Sequence, residues 1–192
     1  MSRDNLLAHT ISRRNFLKFT GLGCLVTQAS LLSGCTHKKF YNPDQDIILG
    51  GGQFRKNDEL HQVLAIVNLH QRDHRLIEPG FLPHGIIIDP KNKKRVITFE
   101  KDGISAAAID LDDDAAAVMI HTDSARIFNG HGAFDSSGDR LFCVETDKAS
   151  GEGHITIRDS HSFDIVSELS SYGQNPHHCQ LIDDGRVLAV SN

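Results

Sequence analysis

The chain has 192 residues, 39% of them hydrophobic and 23% charged, a composition that excludes a polytopic membrane protein and wholesale disorder. A formal net charge of -5, an aromatic content of 6% and the absence of Trp argue against nucleic acid as a partner, which needs a cationic surface and stacking side chains. The one compositional oddity is the presence of 12 histidines.

Residues 1–34 read as an address. Ser12, Arg13, Arg14, Phe16, Leu17 and Lys18 occupy the positions of a twin-arginine export motif. The uncharged stretch from Gly21 to Leu32 that follows is too short to span a bilayer. Leu32-Ser33-Gly34-Cys35 closes it and resembles the lipobox of bacterial lipoproteins. In a lipobox the small residues admit the peptidase, and the cysteine thiol accepts the acyl chain. The expectation is a protein of the Gram-negative periplasm, tethered to the inner or outer membrane by lipid on Cys35, with residues 35–45 as lipidated cysteine and polar tether. An ordinary signal-peptidase site, with Cys35 incidental, is the alternative. Beyond this segment only Cys143 and Cys179 remain. An exported compartment permits a disulfide, whereas their apolar settings, LFCV and HHCQLI, suit two buried thiols.

The body, residues 46–192, reads as short strands in chain order: IILGGGQF, HQVLAIVNL, HRLIEPG, HGIIIDP, KRVITF, ISAAAIDL, AVMIHTD, GAFD, RLFCVE, HITIRDS, FDIVSEL and RVLAVS. Gly50-Gly51-Gly52 lacks the helix and lysine of a phosphate loop and is expected to be a tight bend. The run ISAAAIDLDDDAAAVMI has alanines enough for a helix, but its Asp112–Asp114 triplet divides it into two strands and a turn.

The segments PHGIIIDPKNKKRVITFEK, GHGAFDSSGDRLFCVETD and PHHCQLIDDGRVLAVSN align with one another. His84, His131 and His177 fall 47 and 46 residues apart; Arg95, Arg140 and Arg186 fall 45 and 46 apart. Four antiparallel strands in each such unit make the blade of a β-propeller. The predicted fold is therefore all-β, a partial propeller of about three four-stranded blades after an N-terminal signal segment. A β-sandwich is the alternative for strands so spaced.

Rotational repetition would gather the histidines that precede the innermost strands. His84, His131 and His177 are expected around the channel mouth, with His178 beside them and Glu100, Glu145 and Asp147 surrounding them. Imidazoles backed by carboxylates suit copper, zinc or iron, and this makes His84, His131 and His177 candidate metal ligands. The structural alternative is that each histidine hydrogen-bonds backbone between adjacent blades. No G-x-S-x-G, H-E-x-x-H or C-x-x-C motif is present, so no residue receives a catalytic role.

Together the twin-arginine signal, the glycine triplet, HGIIIDP, GHGAFDSSGDRLFCVETD, GEGHITIRD and NPHHCQLIDDGRVLAVSN resemble a bacterial family, domain of unknown function 1513. The resemblance covers nearly all of the expected mature chain. It implies an exported seven-bladed propeller related to the YVTN and quinoprotein-amine-dehydrogenase-like group, with family members often encoded near imelysin-like iron-uptake proteins. No activity, and hence no catalytic residue, comes with it. A member would continue into further blades, so a truncated chain is also expected. Three functions stay open: a membrane-tethered binding or interaction module with a periplasmic protein partner linked to iron acquisition, a metal-binding or redox subunit with a transition metal as cofactor, and a non-functional fragment. The small ligand is left unidentified by the sequence.

Overall fold

β-branched and aliphatic residues alternating with small or polar ones, and punctuated by Asp-Gly, Asp-Asp and Pro turns, give strands throughout. The computed structural model describes residues 40–112 and 117–192, and all of its strands fall there. The export motif from Ser12 to Lys18 and Cys35 lie outside the described residues, as do Asp113 and Asp114 of the acidic turn.

The first sheet has three antiparallel strands, β1 (Ile47–Lys56), β2 (Glu59–Asn68) and β3 (Asp73–Ile77). Two complete four-stranded blades follow. The second blade comprises β4 (Pro83–Ile88), β5 (Arg95–Gly103), β6 (Ser105–Asp110) and β7 (Val118–His121); each strand pairs antiparallel with the next. The third comprises β8 (Arg126–Phe134), β9 (Arg140–Asp147), β10 (Glu152–Asp159) and β11 (Ile165–Gln174) in the same up-and-down order. The hairpin of β12 (His178–Ile182) and β13 (Val187–Ser191) begins a fourth. This is the all-β, partial propeller that the repeat predicts. One connection departs from separate blades: the end of β5 pairs with β8 at Lys101 with Asn129 and Gly103 with Phe128. The second and third blades are thereby stitched into one continuous sheet.

Buried side chains collect between neighbouring blades rather than in one centre. Leu64, Ile66, Phe81, Val96, Ala107, Ile109 and Leu111 fill the boundary between the first and second blades. Ile97, Phe99, Ala106, Ala108, Ile120, Phe128, Leu141 and Cys143 fill the next. Val144, Ile155 and Cys179 form the third, backed by Phe142, Leu188 and Val190. The period of two explains the division, since alternate residues of a strand face opposite blades. Ala106 and Ala108 face one way and Ala107 the other, so the alanine run is a strand buried on both faces and not a helix.

The repeated Asp and Arg organise the hairpins that join the first two strands of each unit. Asp89 accepts the amide of Lys91 at 2.8 Å, and Asp135 accepts those of Asp139 and Arg140 at 2.9 and 3.1 Å. The Nε of Arg95 donates to Asp89 at 2.8 Å; Nη2 lies 2.6 Å from the same oxygen, close enough for an ion pair but off the hydrogen-bonding direction. Its Nη1 donates to the Ser160 carbonyl at 2.8 Å, reaching from the second blade to the third.

Three expectations need correction or are settled here. Gly50–Gly52 is no bend: the glycines pair in unbroken register with Ala65, Leu64 and Val63 in the middle of β1. Gly51 instead permits close approach, because a Cβ there would fall on the Pro83 carbonyl at the start of β4. Residues 40–45, expected as polar tether, lie against the body. Phe40 and Tyr41 pack on the boundary between the first two blades, the Tyr41 amide donates to Asp112 at 2.7 Å, and Asn68 donates to Gln45 at 2.8 Å. Apolar Phe40 and Tyr41 gain more by covering that core than by remaining in water. Cys143 and Cys179 are buried free thiols in separate clusters. Burial raises the pKa of both, that of Cys179 to about 12, which leaves neither as a ready nucleophile.

Candidate metal centre

Both complete blades break register where their histidine stands. β4 shifts against β5 between Pro83 and Gly85, placing His84 in the irregularity. β8 advances from Phe128 to Gly132 while β9 moves only from Glu145 to Cys143, so Asn129, Gly130 and His131 form a bulge. Bulges re-aim side chains that regular pairing would send to the sheet faces. His177 sits just before β12, its amide donating to the Ser191 carbonyl at 2.7 Å.

These three irregular positions on three successive blades converge. The ring centroids of His84 and His131 are 5.0 Å apart, those of His131 and His177 4.7 Å, and those of His84 and His177 6.0 Å, all edge to face. One nitrogen from each ring lies within 4.8 Å of the other two, the spacing that one metal ion bridges. His178 touches the His131 ring at 5.2 Å from outside this set. The backbone beside the cluster must be glycine: Gly130 has φ of 92°, and a Cβ there would stand 2.6 Å from Cδ2 of His84. Sequence reasoning missed Gly130 as a site residue, although GHGAFD carries it directly before His131.

Burial and neighbouring like charges disfavour protonation of His131 and His84. Burial is the largest influence lowering the His131 pKa to about 4, followed by His177, His84, His178 and Lys101 as like charges. The His84 pKa is also lowered, by burial first and then by Lys101 and His177, with Asp102 opposing. Among the described residues no hydrogen bond reaches the ring nitrogens of His84, His131 or His177.

The predicted carboxylates do not join them. Glu145 is fully buried, on the face of β9 shared with Leu141 and Cys143. It accepts Thr122 Oγ1 and Thr156 Oγ1, each at 2.7 Å, and Arg158 Nη2 at 3.2 Å, with Arg126 at 3.8 Å. Glu100 folds back along its hairpin, accepting the Ser105 amide at 3.2 Å, and a Cβ at Gly103 would collide with its carboxylate. Asp147 caps a turn through the amides of Ala149 at 2.9 Å and Ser150 at 2.8 Å, which lower its pKa. The site is thus a set of three nitrogens without an acidic second ligand.

A pH dependence follows from the half-buried His131 ring. In the unfolded chain His131 titrates near the ordinary 6.5, and in the folded chain near about 4. Between these values the unfolded state binds more protons, so folding stability falls as pH drops from about 6.5 towards 4. Urea unfolding in the presence of a chelator should show this slope, and His131→Asn should flatten it; an equal slope in the variant would place the titration elsewhere.

Residues 82–192 match the family described as Protein of unknown function (DUF1513). Among solved structures the chain is similar to the β-propeller domain of Cps50 (Swd1) from Myceliophteria thermophila, with 14% identity and a TM-score of 0.55 over 68% of this chain and 46% of that one. It is also similar to dihydro-heme d1 dehydrogenase NirN in complex with DHE, with 15% identity and a TM-score of 0.48 over 62% of this chain and 27% of that one. A third similarity is to Pyrococcus horikoshii acylaminoacyl peptidase, with 12% identity and a TM-score of 0.46 over 65% of this chain and 23% of that one. At these identities the likeness is one of fold, and the chain spans less than half the length of each. No curated protein matches it. With the repeat, the blades and the sequence match in agreement, the chain belongs to the DUF1513 family of proteins of unknown function and is a β-propeller.

Proposed function

We propose that this is a binding propeller of the periplasm, held to a membrane through Cys35, whose three-histidine cluster takes a divalent transition-metal ion. The observation that carries the metal reading is the convergence of His84, His131 and His177, with ligand nitrogens within 4.8 Å of one another and none committed to a hydrogen bond among the described residues. Imidazole suits zinc, copper, iron and nickel, and three protein ligands leave a fourth position open. The export motif and lipobox support the location, and the resemblance to proteins encoded near iron-uptake genes supports a periplasmic partner in metal acquisition.

Calorimetric titration of the full chain with Zn2+ and Cu2+ tests the reading. About one equivalent of either ion should bind, with copper tighter in keeping with the usual order of divalent affinities. Failure of both ions to bind stoichiometrically would rule it out.

A further inference from the structure

We propose that the three-histidine site takes its metal ion together with a small oxyanion, and that Lys101 is the residue that holds the anion beside the metal. The inference rests on the metal reading above and specifies what fills the remaining coordination.

All three donors are imidazole nitrogens, and the three carboxylates expected beside them are engaged elsewhere. Glu145 is consumed by Thr122, Thr156 and Arg158, Asp147 by its turn, and Glu100 by the Ser105 amide. Zinc-type sites with three histidines keep an open position for an exogenous ligand. Here His84 and His177 are exposed, so that position is open to solvent.

Lys101 adds a second cation at the same place. It is the β5 partner of Asn129, one residue before Gly130 and two before His131. A Cβ on Gly130 would stand 3.3 Å from Cβ of Lys101 and 2.6 Å from Cδ2 of His84, so the lysine stem and the imidazole flank the same backbone position. Lys101 is exposed and makes no ion pair or hydrogen bond among the described residues. A metal ion bound here would leave two positive centres side by side, with Asp102 opposing them. An anion whose one oxygen binds the metal and whose other meets the ammonium relieves that repulsion and occupies the open position. Carboxylates and phosphates share this chemistry, whether borne by a free ion or by a larger ligand.

The test uses the full chain loaded with Co2+, whose visible absorption reports its ligands, titrated separately with acetate and with phosphate. Saturable spectral change is expected with at least one of them, and the tighter of the two identifies the oxyanion class. Lys101→Met should weaken anion binding about tenfold, while raising Co2+ affinity in anion-free buffer by about twofold to fivefold because a like charge has gone. Opposite signs separate this from a folding defect, which would lower both. A Co2+-loaded spectrum indifferent to both anions, or equal anion affinity in Lys101→Met, overturns the inference and leaves the metal site standing. Absence of stoichiometric Co2+ binding overturns the metal reading and the inference with it.

Discussion

Replacing His131 with alanine is expected to weaken metal binding by at least about 100-fold, because even outer partners of a ligand cost 10- to 100-fold and this is a ligand itself. His131 is the sharpest choice of the three. It lies between the other two rings, at 5.0 Å from His84 and 4.7 Å from His177, and is the one least open to water. An exposed histidine on the far hairpin, His161, serves as the control, since His161→Ala removes an imidazole without touching the cluster. Titration calorimetry on both variants gives the comparison. Equal affinity for His131→Ala and the parent chain would exclude the cluster as the binding site.

The second large effect is on folding. Glu145→Ala is expected to destabilise the chain by about 3–5 kcal/mol, the range for removing one partner of a buried charge pair. The Arg158 guanidinium, 4% exposed, would lose its carboxylate, and the hydroxyls of Thr122 and Thr156 their acceptor. Against a total stability of about 5–15 kcal/mol, such a loss unfolds a substantial share of the chain at physiological temperature. The urea midpoint of the variant provides the measurement. Glu145→Leu combined with Arg158→Leu should recover much of the loss, because removing both charges leaves none uncompensated. If the double variant is no more stable than Glu145→Ala, the pair is not what makes Glu145 costly to lose.

The architecture was legible because propeller blades repeat. Spacing alone located His84, His131 and His177 at equivalent positions, and their convergence follows from rotation of that unit. What spacing could not supply was the direction of the neighbouring side chains. Glu145 was expected beside the histidines because it stands at a strand end, yet alternation counted from Leu141 and Cys143 sends it to the core face. Thr122, Thr156 and Arg158, which make that burial tolerable, come from three different elements and have no common signature in sequence. The glycine triplet misled for a related reason. Its composition suits a bend, but what decides its conformation is the partner strand Val63–Ala65 and the nearness of Pro83, both contributed by tertiary structure. Lys101 has no signature in sequence because its place beside Gly130 comes from pairing of β5 with β8 across a blade boundary, a contact outside the repeat.

Division of the buried core into three pairwise boundaries makes the described body behave as a row of coupled neighbours, in which each blade senses only those beside it. Hydrogen exchange in such a row proceeds as a front that peels one blade at a time from an end. The histidine cluster breaks that rule of adjacency, since His84 belongs to the second blade, His131 to the third and His177 to the approach to the fourth. An ion held there is a rivet through three layers: it couples the second blade to the fourth, which share no core cluster, and in its presence the stepwise peeling of those layers becomes a single cooperative event.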